Sequence, residues 1–227
     1  RYEVLIDGGG TPFSTYDVGE RVVVPALRAL DVDELEVVVA THADADHVEG
    51  LLAVLRSVPV GTLVTGAPRP DVALDAELRR VAAERGVAVH AAVRGESIVV
   101  GRRGEARLEV LHPPAGDVSS LNEGSVVLLL RLHGQAVALF LGDVGEATER
   151  ELAVPRVHVL KVGHHGSRYS TSEALLRAAR PRLAVVSVGE NRYGHPHPSV
   201  LERLAAHGAA VVTTQDAGAV RVPLGAR

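Results

Sequence analysis

Short apolar runs and amphipathic runs alternate from one end of the chain to the other, with no long linker between them. "YEVLID" (2–7) reads as a strand and "DVGERVVVPALRAL" (17–30) as a helix. "ELEVVVAT" (34–41) is almost continuously apolar, as expected of a strand covered on both faces. "VEGLLAVLRS" (48–57) reads as a helix, "VGTLVT" (60–65) as a strand and "DVALDAELRRVAAERG" (71–86) as a helix. Five short apolar runs follow, at 87–92, 97–101, 106–113, 125–133 and 136–143. Gly-containing turns separate them, which predicts an antiparallel meander. Alternation then returns: helix 146–153, strand 157–163, helix 171–179, strand 183–189, helix 198–207, and strands 209–216 and 219–224. The pattern predicts a layered α/β fold of two packed sheets with helices on both faces. No internal repeat and no low-complexity segment interrupts it.

Composition narrows the function classes. The 227 residues suit one large domain or at most two small ones. With 46% hydrophobic residues the chain buries a sizeable core. It holds no apolar run of the roughly 18 residues that a membrane-spanning helix needs, and "RYEVLID" is not a signal peptide. A formal net charge of −4 provides no basic surface that would advertise nucleic-acid binding by itself. A bound cation would still supply positive charge locally. There is no cysteine, so disulfide scaffolds, thiolate metal sites and cysteine nucleophiles are excluded. Lys161 is the only lysine.

Ionisable residues collect where strands end, which is where α/β sheets gather their ligands. Asp7 closes the first strand. "THADADHVEG" follows the strand at 34–41 and sets His42, Asp44, Asp46 and His47 within six positions. On a turn entering a helix these side chains can converge on a metal; the alternative is a solvated turn with Asp44 or Asp46 capping the helix. Asp143 ends "FLGD". "KVGHHGSRYSTS" places His164 and His165 after an apolar strand, followed by Arg168 and by Ser167, Ser170 and Thr171, whose hydroxyls suit phosphate or carboxylate oxygens. "NRYGHPHPS" adds Asn191, Tyr193, His195 and His197; the alternative there is a proline-rich turn with surface histidines. Lys161 either touches a phosphate or serves structure. His90, His133, His158 and His207 are isolated.

Taken in order, these stretches resemble the metallo-β-lactamase superfamily, whose signature is His-x-His-x-Asp-His after a strand, then a His, an Asp and a His. His42, Asp46 and His47 match the first motif, with Asp44 where the second His usually stands. Asp143 matches the bridging Asp and "HHGS" the last His. Asn122 and Ser125, "LKVGHHGS", "NRYGHPH" and Thr214, Asp216 and Gly218 look like the soluble domain of the ComEC family of inner-membrane DNA-uptake channels. The resemblance runs from "LIDGGG" to "TTQDAG". The middle His of the superfamily falls at Leu121 and Asn122, so the first metal position lacks two usual imidazoles.

The resemblance implies a four-layer αββα sandwich forming a single domain over 1–227, excised from a larger membrane protein. It implies a metal-dependent nuclease that degrades the DNA strand not imported during natural transformation. The metal ligands would come from His42, Asp44, Asp46, His47, Asp143 and one of His164 or His165. Asp46, His195 and His197 would take catalytic roles. Asn122, Ser125, Lys161, Ser167, Arg168, Ser170, Thr171, Asn191 and Tyr193 would bind substrate. One or two divalent ions are expected, Mn2+ favoured and Zn2+ possible, because Asp44 hardens the ligand set. The expected partners are the DNA phosphate backbone, read without sequence preference, and the membrane-embedded channel of the same protein. As an isolated domain it is expected to be a monomer, and in place to be a soluble domain on the extracytoplasmic face of the inner membrane. Two rivals stand beside this reading: a hydrolase of thioesters, lactones or small phosphodiesters on the same scaffold, and a catalytically silent domain that guides DNA or braces a channel.

Overall fold

The computed structural model describes residues 2–12, 14–101, 105–116 and 120–224. The chain divides into two compact units.

The first unit comprises Arg1–Glu96, Val100–Gly104 and Pro113–Val126. In chain order it runs β1 (Val4–Ile6), a π-helical turn at Gly19–Val23, α1 (Val24–Ala29), β2 (Leu35–Val39), α2 (Ala45–Ser57), β3 (Val60–Thr65), α3 (Ala73–Glu84) and β4 (Ala88–Ala91). The four strands are parallel and lie in the order β1-β2-β3-β4. Successive right-handed crossovers between neighbouring parallel strands put every helix on one face of the sheet. That face is the core: Leu27 of α1, Val48, Leu51, Val54 and Leu55 of α2 and Leu78 and Val81 of α3 pack on Val38 and Leu63. The buried positions of α2 recur at three- and four-residue spacing, one apolar stripe of an amphipathic helix.

Residues 87–92 depart from the expected meander. β4 pairs with β3 in parallel, from Thr62↔Ala88 to Thr65↔Ala91, and so belongs to the parallel sheet. The helix α3 between them is the reason: a helical crossover returns the chain parallel, whereas a short turn returns it antiparallel.

The "DGGG" stretch seats the start of α2. Gly8 N donates to His47 O at 2.7 Å, and Gly50 N donates to Gly9 O at 2.9 Å. A Cβ on Gly10 would lie 2.0 Å from Ala45 O, and one on Gly50 would lie 2.2 Å from Gly8 O. Backbone approaches this close admit only glycine.

The second unit comprises Ser97–Val99, Glu105–His112 and Val127–Arg227. Its elements are β5 (Ser97–Val100), β6 (Ala106–His112), β7 (Val127–Leu132), β8 (Gln135–Phe140), α4 (Glu146–Glu149), β9 (Val159–Lys161), α5 (Glu173–Ala179), β10 (Leu183–Val186), α6 (Pro198–Ala206), β11 (Ala210–Thr213) and α7 (Thr214–Ala217). The seven strands are neighbours in sequence order. β6, β7 and β8 form the expected antiparallel meander. From β8 to β11 every pairing is parallel. Leu139, Leu160, Ala184 and Val186 of the sheet pack with Leu175 and Leu176 of α5 and Val200 and Leu204 of α6.

The strand expected over 209–216 stops at Thr213. Thr213 Oγ1 accepts from Asp216 N at 3.1 Å and donates to Asp216 Oδ2 at 2.6 Å, which starts the turn α7 instead. Gly218, at φ +66°, ends that turn. Residues 219–224, expected as a strand, carry no regular structure. Among the described residues no helix is long and apolar enough to cross a membrane.

Candidate metal centre

In the first unit, β2 delivers Thr41 and His42 to its exit, and α2 starts at Asp44. Asp44 occupies the N-cap position, where its carbonyl accepts from His47 N and Val48 N. Its carboxylate makes no cap bond; Asp44 Oδ2 lies 3.4 Å from His42 Nε2. His47 stands in the first turn of α2, its ring centroid 4.1 Å from that of His42. A His47 ring nitrogen lies within 4.8 Å of one on His42 and of an Asp46 carboxylate oxygen. Both imidazoles are buried.

Asp7 fixes which nitrogen each ring presents. Its Oδ1 accepts from Thr41 N at 2.8 Å, and its Oδ2 accepts from Thr41 Oγ1 at 2.9 Å and from His47 Nδ1 at 2.8 Å. A carboxylate only accepts, so His47 carries its proton on Nδ1 and keeps the Nε2 lone pair. Thr41 has given its only hydroxyl proton to Asp7. Toward His42 Nδ1, 3.1 Å away, its oxygen can therefore only accept, which puts that proton on Nδ1 as well. Ser125 Oγ lies 3.2 Å from the same nitrogen. Burial pushes the Asp7 carboxyl up, but the charge and hydrogen bond of His47 and the Thr41 N–H outweigh it, so its pKa is lowered.

His42 Nε2 is buried and makes no hydrogen bond among the described residues. A polar atom left that way costs about 1–3 kcal/mol. Imidazoles whose Nδ1 is tied back, beside the carboxylates of Asp44 and Asp46, fit a divalent cation.

In the second unit, Asp143 follows β8 and the pair His164–His165 follows β9, at neighbouring parallel strand ends. His164 N donates to Gly142 O at 3.0 Å. Asp143 is buried, with Oδ2 3.8 Å from His164 Nε2 and 3.6 Å from His165 Nε2. His165 Nδ1 donates to Ser187 O at 2.8 Å, which puts its proton on Nδ1 and turns Nε2 toward Asp143. His164 instead meets the His195 ring edge-on at 5.7 Å. Burial lowers the His195 pKa, and His164 lowers it further, against the opposing pull of Asp143. Asp7, His164, His165 and Thr171 are four of the seven described non-glycine residues with positive φ. Such backbone costs about 1–3 kcal/mol per residue and persists where surrounding structure dictates it.

Several residues expected at substrate hold the loops together. Ser170 is fully buried, and its Oγ donates to Gly163 O at 2.9 Å. Ser167 and Thr171 are buried too. Asn191 donates to Gly189 O and His195 O and accepts from Tyr193 N and His195 N, which uses its whole amide to shape the 189–195 loop. Ser125, also buried, sits against His42, and Asn122 opens the 3-10 turn Asn122–Gly124. Leu121 lines a cavity of about 30 Å3 beside His42, Ala43, Thr65 and Leu78. Lys161 ends β9, paired with Phe140 and Val185. His197 caps α6: its Nδ1 accepts from Ser199 N at 3.3 Å. Arg168 and Tyr193 are exposed.

Two residues acquire roles that the sequence reading did not assign. Asp7 organises both histidines of the first unit. Glu149, buried, accepts from Thr171 N and from Ser172 N, the latter at 2.7 Å, and so holds the loop after His165. The only sequence signal for Asp7 was its place at a strand end; for Glu149 there was none.

A family model described as the metallo-beta-lactamase superfamily matches residues 2–190. The chain belongs to that superfamily. Its α/β architecture is the superfamily's, and the fold implies divalent metal binding and a metallo-hydrolase lineage. ComE operon protein 3 of Bacillus subtilis (strain 168) is 34% identical over 239 residues, covering 97% of this chain and 30% of that protein. Recombination protein 2 of Haemophilus influenzae (strain ATCC 51907 / DSM 11121 / KW20 / Rd) is 31% identical over 222 residues, covering 96% of this chain and 26% of that protein. Competence protein ComA of Neisseria gonorrhoeae is 31% identical over 209 residues, covering 89% and 27%. The chain thus spans less than a third of these relatives. Among solved structures, a CmlA beta-hydroxylase variant gives a TM-score of 0.54 at 14% identity over 80% of this chain and 43% of that one, a likeness of fold alone.

Proposed function

We propose that this metallo-β-lactamase chain is a divalent-metal-dependent nuclease that cuts DNA phosphodiesters during DNA uptake. The observation that carries the reading is the pair of buried imidazoles His42 and His47 in the first unit, each held at Nδ1 by the Asp7–Thr41 network, with His42 Nε2 buried and making no hydrogen bond among the described residues. The relatives named for competence and recombination support DNA as the substrate.

In this reading His42, Asp44, Asp46 and His47 of the first unit offer ligands for a divalent ion, and in the second unit Asp143 and one of His164 or His165 do so too, manganese before zinc. A bound cation would polarise phosphoryl oxygens and acidify a water. The protein's own groups do the rest. Asp7 and Thr41 keep His47 and His42 in the ligand tautomer. His197, with Nδ1 accepting from Ser199 N, keeps its proton on Nε2, where it serves as donor to the leaving oxygen. His195, whose pKa burial and His164 lower, is available as acceptor. Arg168 and Lys161 provide positive charge for phosphates. The chain would be a single soluble domain of a larger inner-membrane protein, on its extracytoplasmic face.

A second reading has its own observation. Asp44 and the apolar Leu121 cavity stand where the superfamily places imidazoles, and a weakened first position would suit a silent, DNA-guiding domain. Metal content after purification separates the two. The direct test is incubation of the chain with single- and double-stranded DNA across a panel of divalent metals. Cleavage with manganese supports the nuclease. A folded, metal-loaded chain that leaves DNA intact but turns over a small ester or thioester overturns it.

A further inference from the structure

Two tyrosines stand in solvent on the histidine loops of the second unit, each stacked by the arginine that precedes it. Arg168 Cζ lies 4.7 Å from the Tyr169 ring centroid and Arg192 Cζ lies 5.4 Å from that of Tyr193. Tyr169 is 64% exposed and Tyr193 is 66% exposed. Only 3% of the chain is aromatic and it has no tryptophan, so two open rings on adjoining loops are a concentration of a scarce residue.

The loops are fastened side by side. His197 N donates to Gly166 O at 2.9 Å, and a Cβ on Gly166 would lie 2.6 Å from Pro196 Cβ. From Tyr193 a row of rings runs inward: 5.9 Å to His195, then 5.7 Å to His164, whose Nε2 is 3.8 Å from Asp143 Oδ2. Arg203 Nη2 donates to Ser170 O at 3.2 Å, and Glu146 N donates to Tyr169 O at 2.9 Å, which holds the backbone that presents Tyr169.

An open ring with a cation on it recognises flat π-faces and the phosphates beside them. Bases show such faces only when unpaired; in a duplex they are stacked against one another. We propose that Tyr169 and Tyr193 are stacking platforms for the unpaired bases of single-stranded DNA, with Arg168 and Arg192 against the flanking phosphates. The inference rests on the DNA reading above and narrows its substrate to a strand whose bases are splayed. It also supplies what a chain of net charge −4 lacks, an attraction that does not depend on broad positive charge.

The test measures binding of the whole chain to three labelled probes by fluorescence anisotropy, with a chelator present so that nothing is cut. The probes are a thymidine oligonucleotide, an abasic strand with the same number of phosphates, and a duplex. The chain should bind the thymidine strand about tenfold or more tighter than the abasic strand, since each stacked base contributes measurably. The duplex should be the weaker partner too. The double variant Tyr169→Ala/Tyr193→Ala should lose the preference for bases, and Tyr169→Trp/Tyr193→Trp should keep it, which separates stacking from loss of fold. Equal affinity for base-bearing and abasic strands overturns the inference, as does an undiminished double alanine variant. Manganese cleavage assays on the same probes tell the two readings apart. Cutting without any preference for bases sinks the stacking and leaves the nuclease, whereas no binding and no cutting sink both.

Discussion

Asp7 Oδ2 and His47 Nδ1 lie 2.8 Å apart, joining the end of β1 to the first turn of α2. That one contact sets the tautomer of a buried imidazole, and through Thr41 it sets a second.

Asp7→Ala should therefore weaken metal binding without removing a proposed ligand. An outer partner of a ligating histidine is typically worth 10–100-fold in affinity, and titration calorimetry with manganese should show a loss of about that size. Affinity equal to wild type would mean that the Asp7 network braces the fold and nothing more.

In the proposed ligand set Asp44 adds hard oxygen. Manganese should support faster DNA cleavage than zinc, and Asp44→His should move the preference toward zinc by restoring an imidazole. Matched rates with each metal decide it; a zinc-preferring wild type contradicts the assignment.

The strand-end placement of His42, Asp46, His47, Asp143 and the 164–165 pair was legible because apolar runs stop abruptly before each of them. Which of His164 and His165 has its Nδ1 tied to the backbone was not. That depends on the Ser187 carbonyl, brought beside His165 by a strand 22 residues later in the chain. The roles of Ser170 and Asn191 were hidden for a related reason. Hydroxyls and amides in a loop look the same in sequence whether they face a substrate or their own backbone. The placement of β4 was missed because run length and turn residues were weighed above the helix between β3 and β4. Gly8, Gly10 and Gly50 were unreadable singly, since what excludes a side chain at each is the backbone of the other segment.

Gly50→Ala tests that packing. A methyl group there would meet Gly8 O at 2.2 Å, so α2 must shift off the "DGGG" loop. Overpacking of this kind costs about 1–3 kcal/mol. Urea unfolding should show the loss; unchanged stability would mean that the contact relaxes freely.

Glu149 ties pH to the loop that follows His165. Burial raises its pKa above the ordinary 4.5, outweighing the hydrogen bonds from Ser172 and Thr171 that favour the charged form. The folded protein thus holds this proton more tightly than the unfolded chain. The contribution is fully present below pH 4.5 and is lost as pH rises through the raised folded value. Glu149→Gln does not titrate, so the stability of wild type relative to the variant should fall as pH rises through that window. Thermal midpoints of both proteins across the pH series measure it, and a difference that stays constant with pH contradicts the assignment.

The most direct measurement of the central claim pairs metal content with DNA cleavage in wild type and in Asp143→Ala, with manganese present. Wild type should bind the metal and cut DNA, and Asp143→Ala should remain folded, lose metal and cut at background rate. An Asp143→Ala protein that binds manganese and cleaves DNA as wild type does would contradict that claim.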